Sequence, residues 1–167
     1  PMSGGVGRLL EKVAVVTGAR GLGRGISLRF AQEGARVAVC DFSLKDAEAT
    51  ARMIEQQGGV AMPVHMDVSS EDSVDSGIDS VVKQLGSPDV LVSNAGIQMI
   101  APLVDFSFAD WKRMMGVHLD GAFLTSRACL RQMYAKKSGS VIFMGSVHSK
   151  EASLLKAPYI TAKHGLE

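Results

Sequence analysis

The chain is short of the residues that announce several functional classes. Among its 167 residues there are two cysteines, Cys40 and Cys129, and no Cys-x-x-Cys. They read as reduced, buried thiols, which suits a reducing cytoplasm and argues against a disulfide-stapled scaffold. The four histidines, His65, His118, His148 and His164, are never three or four apart, so no metal site is expected. Lys and Arg (18) nearly balance Asp and Glu (17), and no run of like charge exceeds two residues. The clustered basic stripe of a nucleic-acid surface is therefore missing. No apolar run approaches the roughly 20 residues of a membrane span. The opening Pro1-Met2-Ser3-Gly4-Gly5 lacks a basic stretch followed by a long apolar one, so no secretory leader is expected. Met2–Leu9 reads as a loose arm.

What is present is a regular alternation. Short β-branched runs at Val13–Thr17, Arg36–Asp41, Val60–Asp67, Val90–Ser93 and Ser140–Met144 are each followed by turn or capping residues. Several are apolar throughout, as strands covered on both faces are. Between them the spacing predicts helices over Gly23–Glu33, Leu44–Gln57, Ser70–Leu85 and Phe108–Lys136, with a kink expected where Gly116 and Gly121 interrupt the last. Ser43-x-x-Asp46, Ser69-x-x-Asp72 and Ser107-x-x-Asp110 fit the serine–acid pattern of helix starts, and Gly34 and Gly58 stand where helices stop. Such alternation implies an α/β fold, a doubly wound parallel sheet of the Rossmann type with right-handed crossovers. With no linker, repeat or low-complexity segment, residues 1–167 read as one domain.

Thr17-Gly18-Ala19-Arg20-Gly21-Leu22-Gly23 joins the first strand to the first helix. Glycines suit this place because the turn is tight and a pyrophosphate must approach the backbone. The helix start offers free N–H groups and a positive dipole to the phosphates, so Gly18, Arg20, Gly21, Leu22 and Gly23 are candidate cofactor-binding residues. Asp41 ends the second strand. Its carboxylate could bond both hydroxyls of an adenosine ribose and repel the extra phosphate of NADP, which makes NAD the expected cofactor; the alternative is that it caps the next turn. Asn94-Ala95-Gly96 follows the fourth strand, on the edge where open α/β sheets bind ligands.

Tyr159-x-x-x-Lys163 carries the chemistry. Residues four apart share a helical face. A free tyrosine, with a pKa of about 10, is too weakly acidic to act as a base at neutral pH, and a neighbouring lysine cation favours the phenolate. The pair suits proton transfer to and from a hydroxyl or carbonyl. Ser146, just after the fifth strand, could hydrogen-bond the same oxygen.

Together these motifs resemble the short-chain dehydrogenase/reductase family. The match runs from about Val13 to the end, through the Thr-Gly loop, Asp41, Asp67 in His65-Met66-Asp67-Val68, Asn94-Ala95-Gly96, Ser146, Tyr159 and Lys163. The resemblance implies that Tyr159 is the catalytic acid/base and that Lys163 lowers its pKa and holds the nicotinamide ribose. It implies that Ser146 orients the reacting carbonyl and that Asp67 and Val68 lie near the adenine, the hydride step being the cofactor's. It also implies a homo-oligomer, a tetramer, whose usual interface uses the Tyr159 helix and Phe108–Lys136. A narrower resemblance is to bacterial 3-hydroxybutyrate dehydrogenases. Gln98, His148 and Lys156 match the set with which those enzymes grip a short acid's carboxylate, and a lysine with two other hydrogen-bonding groups suits that task. The expected substrate is 3-hydroxybutyrate, interconverted with acetoacetate. A broader 3-oxoacyl or sugar-alcohol reductase, or an inert nucleotide-binding fragment, is the alternative.

Three departures stand out. Gly18 and Gly21 are separated by two residues where the family has three, and Leu10-Glu11-Lys12-Val13 lacks the glycine usual before its lysine. The shorter loop is expected to disturb phosphate contacts. The family's usual Val-Asn-Leu, with its fourth catalytic residue, reads Val117-His118-Leu119. His118 could serve a proton relay through water, or be a buried structural histidine. The resemblance further implies two more strands, a substrate lid and a packing helix after Glu167, so that the fold is C-terminally truncated here.

Overall fold

The computed structural model describes residues 7–167. Five strands, β1 (Val13–Thr17), β2 (Arg36–Asp41), β3 (Val60–His65), β4 (Val90–Ser93) and β5 (Ser140–Phe143), form one sheet in the order β3-β2-β1-β4-β5. Every pairing is parallel, as the alternation implies. The helices are α1 (Gly21–Gln32), α2 (Leu44–Gln56), α3 (Glu71–Gln84), α4 (Phe108–Met115), α5 (Gly121–Lys136) and α6 (Ala157–Leu166).

Successive side chains of a strand point to opposite faces, so an all-apolar strand serves two cores at once. Val13 and Val15 of β1 join Ala38, Cys40 and Leu91 against α3 and α5, where Val74, Ile78, Val81, Leu124 and Cys129 are buried. Ala14 and Val16 join Val37, Val39 and Val92 on the other face, against Ala47 and Ile54 of α2 and the half-buried Ile26 and Phe30 of α1. Each fully buried valine contributes about 1.5–3 kcal/mol relative to an exposed one. The order reverses between β1 and β4, which makes their carboxyl ends the switch point where a crevice opens.

The caps explain the boundaries. Ser43 and Ser107 accept from the backbone N–H groups of Asp46 and Asp110. The cap expected at Ser69 sits one residue on: Ser70 accepts from Ser73 N–H. The reason is local, because Asp67 Oδ1 takes both the N–H and the hydroxyl of Ser69 (2.9 and 2.6 Å) and β3 stops at His65. Gly34 and Gly58 have φ of +91° and +81°, the left-handed stop that favours glycine. The helix expected over Phe108–Lys136 is divided by a π-helical turn, Gly116–Asp120, between α4 and α5. Gly121 is needed there, since a Cβ would come within 2.8 Å of Val68 Cγ2.

Of the expected loose arm, residues up to Val6 lie outside the described ones. The remainder is fastened: Leu9 N–H donates to Glu33 O at 2.9 Å, and Leu9 packs on the α1/α2 core. The amino end of the sheet is clamped by Asp89, which accepts from Val13 N–H (2.9 Å) and Lys136 Nζ (2.8 Å) with Lys12 nearby. Burial works to raise this carboxyl, and the bonds from Lys136 and Val13 outweigh it and hold it below its usual value.

Candidate active site at the carboxyl edge of the sheet

The switch point opens into a cleft of about 920 Å³. The residues between β1 and α1 form one wall. Gly18 and Gly21 have φ of +87° and +53°, and Gly21 has open space where a Cβ would stand. Gly23 is not on the wall but beneath it, because a Cβ there would lie 1.7 Å from Gly18 O. Two intervening residues therefore still close the turn, and α1 begins at Gly21 rather than Gly23. Its N-terminus has no side-chain cap and no acidic residue in the first turn. Unclaimed N–H groups beside open space suit a phosphate.

The other walls come from the remaining strand ends. Asp41, Asp67, Val68, Asn94, Ala95 and Gly96 all line the cleft, with Arg20 and Leu22 at its rim. Asp41 makes the turn contacts of the alternative reading: Oδ1 accepts from Ser43 N–H at 2.8 Å, and Oδ2 from Ala19 N–H at 2.6 Å. An ionised carboxylate has about four acceptor positions, so two are left for a ribose. Asn94 holds the wall together. Its amide donates to Thr17 O at 2.8 Å, while Thr17 Oγ1 accepts from the N–H groups of Asn94 and Ala95, both at 3.0 Å. Cys40 also borders the cleft, but burial, with Cys129 and Asp41 adding to it, pushes its thiol far up, which leaves it no nucleophile. Volume, glycine cradle and free helix start fit an extended dinucleotide.

Sequence reasoning missed Phe42, Ser43, Asp46, Met66, Ser69, Ile97, Arg113 and Val117 on this cleft. Most directly follow or flank residues already singled out, and strand ends were the available signal. Arg113 had none: α4 is not adjacent in sequence to any strand end.

Past Gly96 the second group assembles. Tyr159 lies on α6, with Lys163 Nζ 5.7 Å from its ring centroid. Lys163 is buried and donates to Met144 O at 2.5 Å. Its burial holds the ammonium below the usual lysine pKa. Ser146 caps the 3-10 turn Val147–Ser149: its Oγ accepts from His148 N–H, and its own N–H donates to Ser149 Oγ, both at 3.2 Å. The His148 ring stands edge-on to Tyr159 at 5.9 Å, and Lys156 Nζ lies 3.3 Å from His148 Nε2. Gln98 is exposed on the loop after β4, and that loop is tied to Lys156's segment through Ala101 N–H to Leu155 O at 3.1 Å.

His118, in the π turn, is 3% exposed and stands edge-on to Tyr159 at 5.5 Å. Its Nε2 is 2.7 Å from Ile97 O and 3.2 Å from Ile97 N. Burial is the main cause that holds its imidazole below the usual pKa; the Ile97 bond opposes this and the Lys163 charge adds to it. Among the described residues, no helix is long and apolar enough to cross a membrane, and no cluster of metal-ligating side chains occurs.

A doubly wound sheet with a dinucleotide cleft at its switch point, and a Ser/Tyr/Lys group beyond, defines a class of protein, and comparison with known proteins gives the family. The family described as short chain dehydrogenase matches residues 12–167. The chain is 33% identical to glucose 1-dehydrogenase 2 of Bacillus subtilis over 163 residues, covering 95% of this chain and 63% of that protein. It is 36% identical to D-beta-hydroxybutyrate dehydrogenase of Cupriavidus necator over 158 residues, covering 93% and 60%. A short-chain type dehydrogenase/reductase from Mycobacterium marinum superposes with a TM-score of 0.92 at 30% identity, covering 96% of this chain and 65% of that one. The chain belongs to the short-chain dehydrogenase family. It spans about three-fifths of the length of these curated relatives, with 63% and 60% covered.

Proposed function

We propose that this chain carries the cofactor site and the reacting groups of an NAD-dependent dehydrogenase that interconverts 3-hydroxybutyrate and acetoacetate. The observation that supports it best is the pairing of Lys156 with His148 at 3.3 Å, with the His148 ring against Tyr159. A cation and a second polar group beside the proton-transferring residue suit a substrate with a carboxylate near its hydroxyl. Tyr159 takes the hydroxyl proton during oxidation and returns it during reduction. Lys163 supplies the counter-charge for the Tyr159 oxygen and holds the ribose. Ser146, its rotamer fixed by the capping box, donates to the reacting oxygen. Gln98 joins His148 and Lys156 on the carboxylate. Asp41 takes the adenosine ribose hydroxyls and its charge disfavours a 2′-phosphate, which selects NAD over NADP. The nicotinamide ring supplies the hydride acceptor. The family resemblance adds a small-molecule substrate and a homo-oligomer, a tetramer, working in the cytoplasm.

The glucose dehydrogenase relative favours a second reading, a sugar or sugar-alcohol substrate. One assay separates the two. NADH absorbance is followed with purified intact protein, NAD or NADP, and 3-hydroxybutyrate or glucose. Turnover of 3-hydroxybutyrate with NAD is expected. Preference for glucose overturns the acid reading, equal use of NADP overturns the role of Asp41, and NAD binding without turnover of either compound leaves a nucleotide-binding protein.

A further inference from the structure

Thr50 is a fully buried polar side chain whose hydrogen bonds leave its own helix. We propose that Thr50, with Arg24 behind it, is a positioning residue for the cofactor: the two brace Ala19 from the α2 side and so hold the shortened glycine loop in the shape that receives a pyrophosphate. The inference rests on the reading of the cleft as a dinucleotide site.

A threonine inside a helix commonly returns its hydroxyl to the carbonyl four residues back. Thr125 does so to Gly121 O at 2.7 Å, and Thr161 to Ala157 O at 2.9 Å. Thr50 instead donates to Ala19 O of the glycine loop, 31 positions away in sequence, at 2.7 Å. Arg24 of α1 decides that direction. Its Nε lies 3.0 Å from Thr50 Oγ1, and a guanidinium only donates, so the hydroxyl proton is left for Ala19.

The brace meets a need that the short turn creates. Gly18 and Gly21 both turn at positive φ, +87° and +53°, and Ala19 between them has no exposed surface. Gly18, Arg20, Gly21 and Leu22 line the cleft, and Ala19 does not. Its two backbone groups therefore face protein and need protein partners. Asp41 Oδ2 accepts from its N–H at 2.6 Å, and Thr50 supplies the donor for its carbonyl. Ala19 is thus pinned from β2 and α2 at once. Asp46 stands four residues before Thr50 on the same face of α2, with its Oδ2 3.6 Å from Arg20 Nε. One helical face reaches both residues between the two glycines, and the uncapped start of α1 is left open to the cleft.

Loop length separates this role from plain packing. In the intact protein, Thr50→Val keeps the shape of the side chain and removes the hydroxyl. The dissociation constant for NAD, read by titration calorimetry, should rise roughly three- to tenfold, the range of one net hydrogen bond. At saturating NAD, kcat and KM for 3-hydroxybutyrate should change little. Thr50→Ser restores the donor and should bring the constant back to within about twofold of the parent's. One alanine inserted between Ala19 and Arg20 frees the turn from burying that carbonyl, so Thr50→Val in the lengthened loop should alter NAD affinity by less than about twofold. The same loss at both loop lengths, or parental NAD affinity in a folded Thr50→Val, overturns the proposal. If Thr50→Val does not fold, Arg24→Met takes its place in the same comparison, and parental affinity again overturns it. If the insertion does not fold, two ligands are compared instead. The variants should weaken ADP, which carries a pyrophosphate, and leave adenosine within about twofold, and equal losses on both overturn the brace. A parent protein that binds neither NAD nor ADP removes the dinucleotide reading itself, whereas NAD binding that ignores Thr50 and Arg24 removes only the brace.

Discussion

β1 and β5 lie two positions apart in one parallel sheet, yet every residue of β1 is buried while Ile142 and Phe143 of β5 are each 43% exposed. The contrast extends to the polar groups beyond each strand. Around the glycine loop they bond mainly to backbone: Asp41 to Ala19 and Ser43, Asn94 to Thr17, Thr50 Oγ1 to Ala19 O at 2.7 Å. Around Tyr159 several meet one another as side chains, as Lys156 and His148 do, and as the rings of His118 and His148 do with Tyr159. Around the glycine loop, where the bonds go to backbone, loss of a group should be felt as stability or cofactor affinity. A group held by other side chains is adjustable, and its loss is felt in turnover and substrate choice.

The sharpest test of that contrast is Tyr159→Phe, which removes the transferable proton with almost no change of shape. Turnover should fall by about 10²- to 10⁴-fold, the usual contribution of a positioned acid/base, while KM and the melting temperature stay near the parent's. A large fall in melting temperature would place Tyr159 with the structural groups and erase the distinction.

Lys156→Ala should act through the substrate alone. A charge-assisted hydrogen bond contributes about 1.5–3 kcal/mol, so kcat/KM for 3-hydroxybutyrate should fall roughly ten- to a hundredfold. A neutral alcohol of equal length should be little affected, having no carboxylate to lose. Equal losses on both compounds would make Lys156 structural and remove the main support for an acid substrate.

The smallest effect concerns the other half. Glu33, which closes α1, is held from the ordinary 4.5 down to about 2, first by Arg8 N–H and then by the Arg29 and Arg8 side chains. A depressed folded-state pKa means that the unfolded chain binds the proton more readily. This contribution to stability is therefore complete above about pH 4.5 and is lost as the pH falls towards 2. Glu33→Gln should flatten the acid side of the urea-midpoint profile without changing turnover at pH 7. A change in turnover would show that the two halves are coupled.

The residues that made the fold readable are those whose role is local. Short β-branched runs, several apolar throughout, with serine caps and glycine stops predicted five parallel strands and the helices between them, with errors of one or two residues at the ends. Ser69 shows why the ends slip: Asp67 competes for its N–H and hydroxyl, and no spacing rule records which neighbour wins. At the site, the glycine loop, Asp41, Asn94 and the Tyr159/Lys163 pair were legible because each combines a residue type with a place after a strand or on one helical face. Arg113 was not, because α4 brings it to the cleft from a different part of the chain. Nor could sequence choose between the two readings of His118, since burial and the Ile97 contact join positions 21 residues apart.

By itself, then, the order of residues determined which segments are strands, which are helices, and that a glycine loop and a Tyr-x-x-x-Lys pair follow them in turn, because backbone preference and periodicity act over a few neighbours. The tertiary structure alone decided that the shortened glycine loop still closes over Gly23, that Asp41 spans that loop, and that His118 fits against Gly96 and Tyr159. Those outcomes depend on which atoms are left facing one another when the sheet stacks its strand ends side by side, a matter of packing between distant segments that no local pattern encodes.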